Sequence, residues 1–95
     1  AMLSITNNIA EGSGSTSKRE FAQFINIARR STFEVVNMLV MFERHNLVES
    51  KEVTSCLTEL EGISKMLEAF RKTLLSSLRN AAMIAVGLLF IACCL

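Results

Sequence analysis

The 95-residue chain has no Pro, Trp or Tyr, only four Gly, 51% hydrophobic residues and a formal net charge of +1. That composition excludes a β-rich or Pro-rich fold, points to a single small all-α domain, and is too neutral to announce nucleic acid by charge alone. Three cysteines, Cys56, Cys93 and Cys94, give no disulfide framework and fit a reducing compartment, and no secretory signal opens the sequence.

Residues 1–11 are predicted as a short helix, with Met2, Ile5 and Ile9 on one face. It starts at Ala1 without a cap, as the middle of a longer helix would, so a fragment is expected. Gly12 and Gly14 are expected to end it by taking positive φ, and Ser13 to Thr16 form the loop. Ser17 and Glu20 then form a capping box: the Ser17 oxygen bonds the Glu20 N–H, and the Glu20 carboxylate reaches back to the Ser17 N–H.

A long helix over 18–44 follows. Phe21, Phe24, Ala28, Ser31, Val35, Met38 and Phe42 keep a 3–4 spacing, and Ile25, Thr32, Val36 and Leu39 widen the stripe enough for two neighbouring helices. Ala28 and Ser31 are small enough for a close approach. His45–Asn46 is the exit, with His45 near the terminal carbonyls, Asn46 in the left-handed region and Leu47 as the apolar contact of a C-cap.

Ser50 is expected to cap a helix over 51–79. Its stripe is Val53, Cys56, Leu60, Ile63, Leu67, Phe70 and Leu74. Glu61 with Lys65 and Glu68 with Lys72 are i,i+4 pairs, and Gly62 suggests a close helix crossing. Residues 80–95 are uncharged and apolar on all sides. As a helix they cover about 24 Å, against a hydrocarbon core of about 30 Å. Three readings stay open: a buried or interface helix, a membrane segment with Lys72 and Arg79 at its border, or sequence without a selected role.

No residue pattern calls for catalysis, a cofactor or a metal. His45 lacks companion ligands. Gly12-Ser13-Gly14 follows no strand. Cys93 and Cys94 read as packing residues. Glu11, Glu20 and Glu34 have no nucleophile or base beside them. The candidate nucleic-acid contacts are Lys18, Arg19, Arg29 and Arg30. Lys18 and Arg29 are eleven residues apart and share a helix face. The plainer reading is a solvated face with Glu34 paired to Arg30.

The run Ser4 to Gly14, with Asn8, Glu11, Gly12 and Gly14, then Ser17-Lys18-Arg19-Glu20-Phe21, Phe24 to Ala28 and Ser31 to Glu34, resembles the bacterial four helix bundle family of 23S rRNA intervening sequence proteins. The accessory variability determinant proteins of diversity-generating retroelements look like relatives. The resemblance covers about residues 1–74. It implies an antiparallel up-and-down bundle of four helices whose first helix is missing here. It also implies a closed homo-oligomer, with a ring of five known among relatives, in the bacterial cytoplasm. Ser15 stands where the family often has a basic residue, and Arg30 where it often has Gly. The family has no established enzymatic activity; its retroelement relatives suggest RNA, DNA or a reverse transcriptase as partner. The domain reading is a bundle over 1–79 and an apolar segment over 80–95. The functional expectation is a non-catalytic self-assembling scaffold. The alternatives are a small protein held at a membrane by residues 80–95, and a non-functional gene remnant.

Overall fold

The computed structural model describes residues 2–94 as three helices: α1 (Met2–Ser13), α2 (Lys18–Arg44) and α3 (Ser50–Cys94). Ala1 and Leu95, and the side chains of Ala81 and Cys94, lie outside the described residues. The chain is all-α, as its composition requires. The bounds of α2 are those the periodicity predicts. α3 runs on through Arg79 without a break, because Ala82, Met83 and their neighbours favour helix and no Pro or capping residue interrupts them.

α2 is the middle element. It packs against both other helices, and α1 and α3 flank it without closing on each other. Ser4 meets Ser31 across one seam. On the other, Arg29 meets Glu68 and Lys18 meets Ser77, so each seam joins antiparallel neighbours. The core comprises Ile5 from α1, Ala22, Ile25, Ala28 and Val35 from α2, and Leu60, Leu67 and Leu74 from α3.

Only part of each predicted stripe is covered. α3 buries Val53, Leu60, Leu67 and Leu74, a single row with a seven-residue spacing, while Cys56 and Phe70 between them are exposed and Ile63 is half-buried. One neighbour covers one narrow row. On α2 the burial stops at Val35, and Met38 and Phe42 are exposed. The reason is length: twelve residues of α1 reach about 18 Å, so with Ser4 beside Ser31, α1 runs out where Val35 begins. A cleft of about 270 Å³ opens there, lined by Met2, Val35, Leu39, Cys56, Leu60 and Ile63 among others.

The turns correct several expectations. Neither Gly12 nor Gly14 takes positive φ. α1 ends instead in two tight bonds, Gly14 N–H to Glu11 O and Ser15 N–H to Gly12 O. Gly12 is needed for space: a Cβ there would stand 2.7 Å from both Phe21 Cδ2 and Phe24 Cβ. At the exit of α2, Asn46 does take φ 58°. Asn46 N–H bonds Glu43 O and Leu47 N–H bonds Phe42 O, the two bonds of a Schellman cap. Leu47, expected to fold back, is instead 71% exposed. His45 holds the C-cap through its backbone N–H, which bonds Met41 O. Ser50 is already helical, and its hydroxyl crosses to the Glu43 carboxylate at 3.0 Å, tying the end of α2 to the start of α3.

Gly62, expected at a close crossing, faces open space, with nothing within 4 Å of an added Cβ. Gly62→Ala is therefore expected to raise stability by about 0.8–1 kcal/mol, the difference in helix propensity. Urea unfolding followed by circular dichroism reads it. A loss of stability would reveal a second helix seated on that residue.

Candidate nucleic-acid interface

Ser17 opens α2 as predicted, its side-chain oxygen accepting the Glu20 N–H at 3.1 Å. The reciprocal bond from the Glu20 carboxylate is absent among the described residues, so half of the capping box forms. The other motif residues also have structural duties. Asn8 Nδ2 donates to Ser4 O at 2.7 Å and to Ser4 Oγ at 3.2 Å. Ser4 Oγ lies 3.0 Å from Ser31 Oγ, which in turn donates to Ile27 O. With that proton committed, Ser4 must donate to Ser31, and each hydrogen in the relay, including the two on Asn8 Nδ2, has one acceptor. This relay pins α1 to α2. Exposed Glu11 contributes its carbonyl to the turn. Ser15 turns its hydroxyl inward without a partner among the described residues, so position 15 presents no cation.

The four predicted contacts fall into two rows. Lys18 and Arg29 form the inner row, facing α3. Lys18 Nζ donates to Ser77 Oγ at 2.7 Å. Arg29 is committed more heavily: its Nε lies 3.2 Å from Glu68 Oε2, its Nη2 donates to Asn26 Oδ1, and its guanidinium sits 5.6 Å from the centre of the Phe33 ring. The Glu68 contact is close yet off line for a hydrogen bond. Arg29 is thus part of the α2–α3 seam, a role helical periodicity alone does not reveal.

Arg19 and Arg30 form the outer row, also eleven residues apart and so on one face, about 16 Å from each other along the axis. Both are exposed, and among the described residues neither makes an ion pair. The Arg30–Glu34 pair suggested by spacing does not form. Arg19 lines a groove of about 170 Å³ with Ala22, Gln23, Asn26, Arg71 and Leu75. Arg19, Gln23 and Arg71 all line this space, and guanidinium groups are the side chains best matched to phosphate oxygens.

Arg71 is the residue that sequence reading missed. Glu68 was expected to pair with Lys72. It instead accepts two hydrogen bonds from Arg71, at 3.1 Å from Nε and 2.9 Å from Nη2, because a planar guanidinium matches a carboxylate bidentately and an ammonium cannot. Glu61–Lys65 does form, at 3.0 Å, exposed and of little energetic weight.

The hydrogen bonds from Arg71 hold the Glu68 carboxyl below its ordinary value. Partial burial opposes this, and the charges of Arg71, Arg29 and Lys72 reinforce it. The same bonds raise Arg71. A carboxyl that is more acidic folded than unfolded stabilises the fold above its unfolded value, about 4.3, and loses that contribution as pH falls through the folded value. Glu68→Gln is therefore expected to melt with less difference between pH 7 and pH 3 than the unaltered chain. Equal acid sensitivity would remove Glu68 from this role.

No curated protein and no solved structure matched the chain. The model of the 23S rRNA-intervening sequence protein family matches residues 1–69, which takes in α1, α2, the α1–α2 seam and the Arg29–Glu68 pair, and stops before Arg71, Leu74, the Lys18–Ser77 contact and the apolar end of α3. With that match over 69 of its 95 residues, the chain belongs to the 23S rRNA-intervening sequence protein family.

Proposed function

We propose that the chain is a non-catalytic scaffold that assembles with copies of itself and offers the outer row of α2 to the phosphates of a nucleic acid in the bacterial cytoplasm. The observation that carries the assembly is uncovered apolar surface: Met38 and Phe42 of the α2 stripe and Phe70 of the α3 stripe are exposed, as are Met41 and Met66, and the cleft lined by Met2, Val35, Leu39 and Leu60 stands open. A small domain buries too little surface alone and completes its core by association. Repetition of Arg19, Arg30 and Arg71 around a closed ring turns a modest patch into a band. Binding would then depend on salt and run through phosphates rather than base edges. A reverse transcriptase-like enzyme is the protein partner that the resemblance implies for the same face, and five is the subunit number it implies.

Light scattering on the full chain tests the assembly: a single mass that is a multiple of 10.5 kDa is expected, and a monomer overturns it. Arg29→Glu is a poor probe of binding, because it sets a second carboxylate against Glu68 and opens the seam. Arg19→Glu with Arg30→Glu leaves the seam intact. This pair is expected to weaken RNA binding and make its log–log salt slope shallower by about 1–2. Unchanged affinity in a salt titration would remove the outer row from the function.

A further inference from the structure

We infer that the end of α3, from Asn80 onward, inserts end-on into a lipid bilayer and holds the helical bundle against the headgroups. This goes beyond the scaffold reading and rests on residues outside the family match. The described side chains of the helix here are exposed. Met83, Ile84, Val86, Leu88, Leu89 and Phe90 are 63–70% exposed and together point in every direction around the axis. An apolar window of the helix long enough for a span has only 6% of its residues buried, so it is no core helix of the bundle, and it follows the folded helices rather than preceding them.

The all-round pattern decides the occupant. A helix docked in a protein groove, or lying flat on a membrane, keeps a polar face. A helix apolar on every side needs a surrounding medium. Asn80 to Cys94 carries no charge over fifteen residues, about 22 Å. That stretch fits within a hydrocarbon core of about 30 Å, and long side chains at its base reach back to the interface.

A second observation lies at the base of the segment. Lys18 Nζ bonds Ser77 Oγ, which places the start of α2 at the level where the apolar run begins. Arg19 and Leu75 line one groove. Lys72 and Arg79 are exposed and two helical turns apart on one face. These four cations form a collar, opposed at that end by Glu11 and Glu20, where lipid phosphates would lie.

The test uses the full chain and flotation with vesicles of pure phosphatidylcholine. The chain has no tryptophan, so Phe90→Trp gives a single reporter. The unaltered chain is expected to float and to stay bound through molar salt. The reporter's emission should shift to the blue on adding vesicles and be quenched by brominated acyl chains. Val86→Arg with Leu89→Arg, at positions that touch nothing in the bundle, should keep its helicity and float about tenfold less or worse. Absence from the floating fraction overturns the inference. So does binding confined to anionic vesicles and reversed by salt, which the collar alone would produce. A reporter already blue-shifted in buffer and unmoved by vesicles also overturns it, since the segment would then be covered by protein.

Discussion

Ile25→Ala is expected to lower the melting temperature by roughly 10–30 °C. Ile25 is 0% exposed, at the centre of the core shared by α2 and α3. Truncating a fully buried Ile to Ala costs about 2–5 kcal/mol, the lost transfer free energy plus the cavity left behind. One kcal/mol moves the transition of a domain this size by about 4–8 °C. Small domains hold only about 5–15 kcal/mol in total, so the upper end of the range leaves a partly unfolded population at room temperature. Thermal melts by circular dichroism check this. Collapse of the site is limited, because Ala22 and Ala28, the buried neighbours one turn away on α2, have no length with which to fill the void. A shift under 5 °C would mean that the α2–α3 seam is not where the stability lies.

Gly12→Val is expected to cost about 2–3 kcal/mol, against the ordinary rule that replacing a helical glycine stabilises. The propensity gain is only about 0.3 kcal/mol, because Val is itself a modest helix former, and it is outweighed by overpacking, typically about 1–3 kcal/mol, here at the upper end because three carbons are added. The two contacts at 2.7 Å differ in kind. Phe21 Cδ2 is the end of a half-buried side chain that can swing, whereas Phe24 Cβ is fixed to the backbone of α2. Phe21→Leu should therefore rescue only part of the loss, the remainder reflecting displacement of α1 from α2. Full rescue would place all the strain on the Phe21 ring. The same substitution logic gives opposite signs at Gly12 and Gly62, which separates a glycine retained for space from one that is not.

The helices were legible because their signals are local. The spacing of Phe24, Ala28, Ser31 and Val35 and the Ser17 cap identify α2 from its own residues. The motif from Asn8 to Glu20 was legible as a corner but misread in detail. Positive φ and close packing both select glycine, and only the approach of Phe21 and Phe24 to Gly12 distinguishes them. The basic residues were legible as a set and not by role. Arg29 and Arg30 are adjacent in sequence, yet one is neutralised by Glu68, 39 positions away, and the other makes no ion pair among the described residues. Partners chosen across a helix–helix seam leave no trace in the spacing of either helix. The groove that Arg71 lines escaped for the same reason, since it exists only once α2 and α3 have met, whereas its i,i+3 bond to Glu68 lies within α3 and was open to spacing.

Because α1 and α3 each lean on α2 and not on each other, the two seams can open separately. α1 is held by Ile5, by Gly12 against the phenylalanines and by the Asn8–Ser4–Ser31 relay, and its release leaves the row from Val53 to Leu74 undisturbed. Amide hydrogens of α1 should therefore exchange with solvent before those in the paired stretches of α2 and α3, by a local opening well below the free energy of global unfolding. Such an opening would bare Ala28, Ser31 and Val35 while the other half of the molecule stays folded. A neighbouring copy could then exchange its own α1 into the vacancy, and the smallest helix would become the piece that subunits trade.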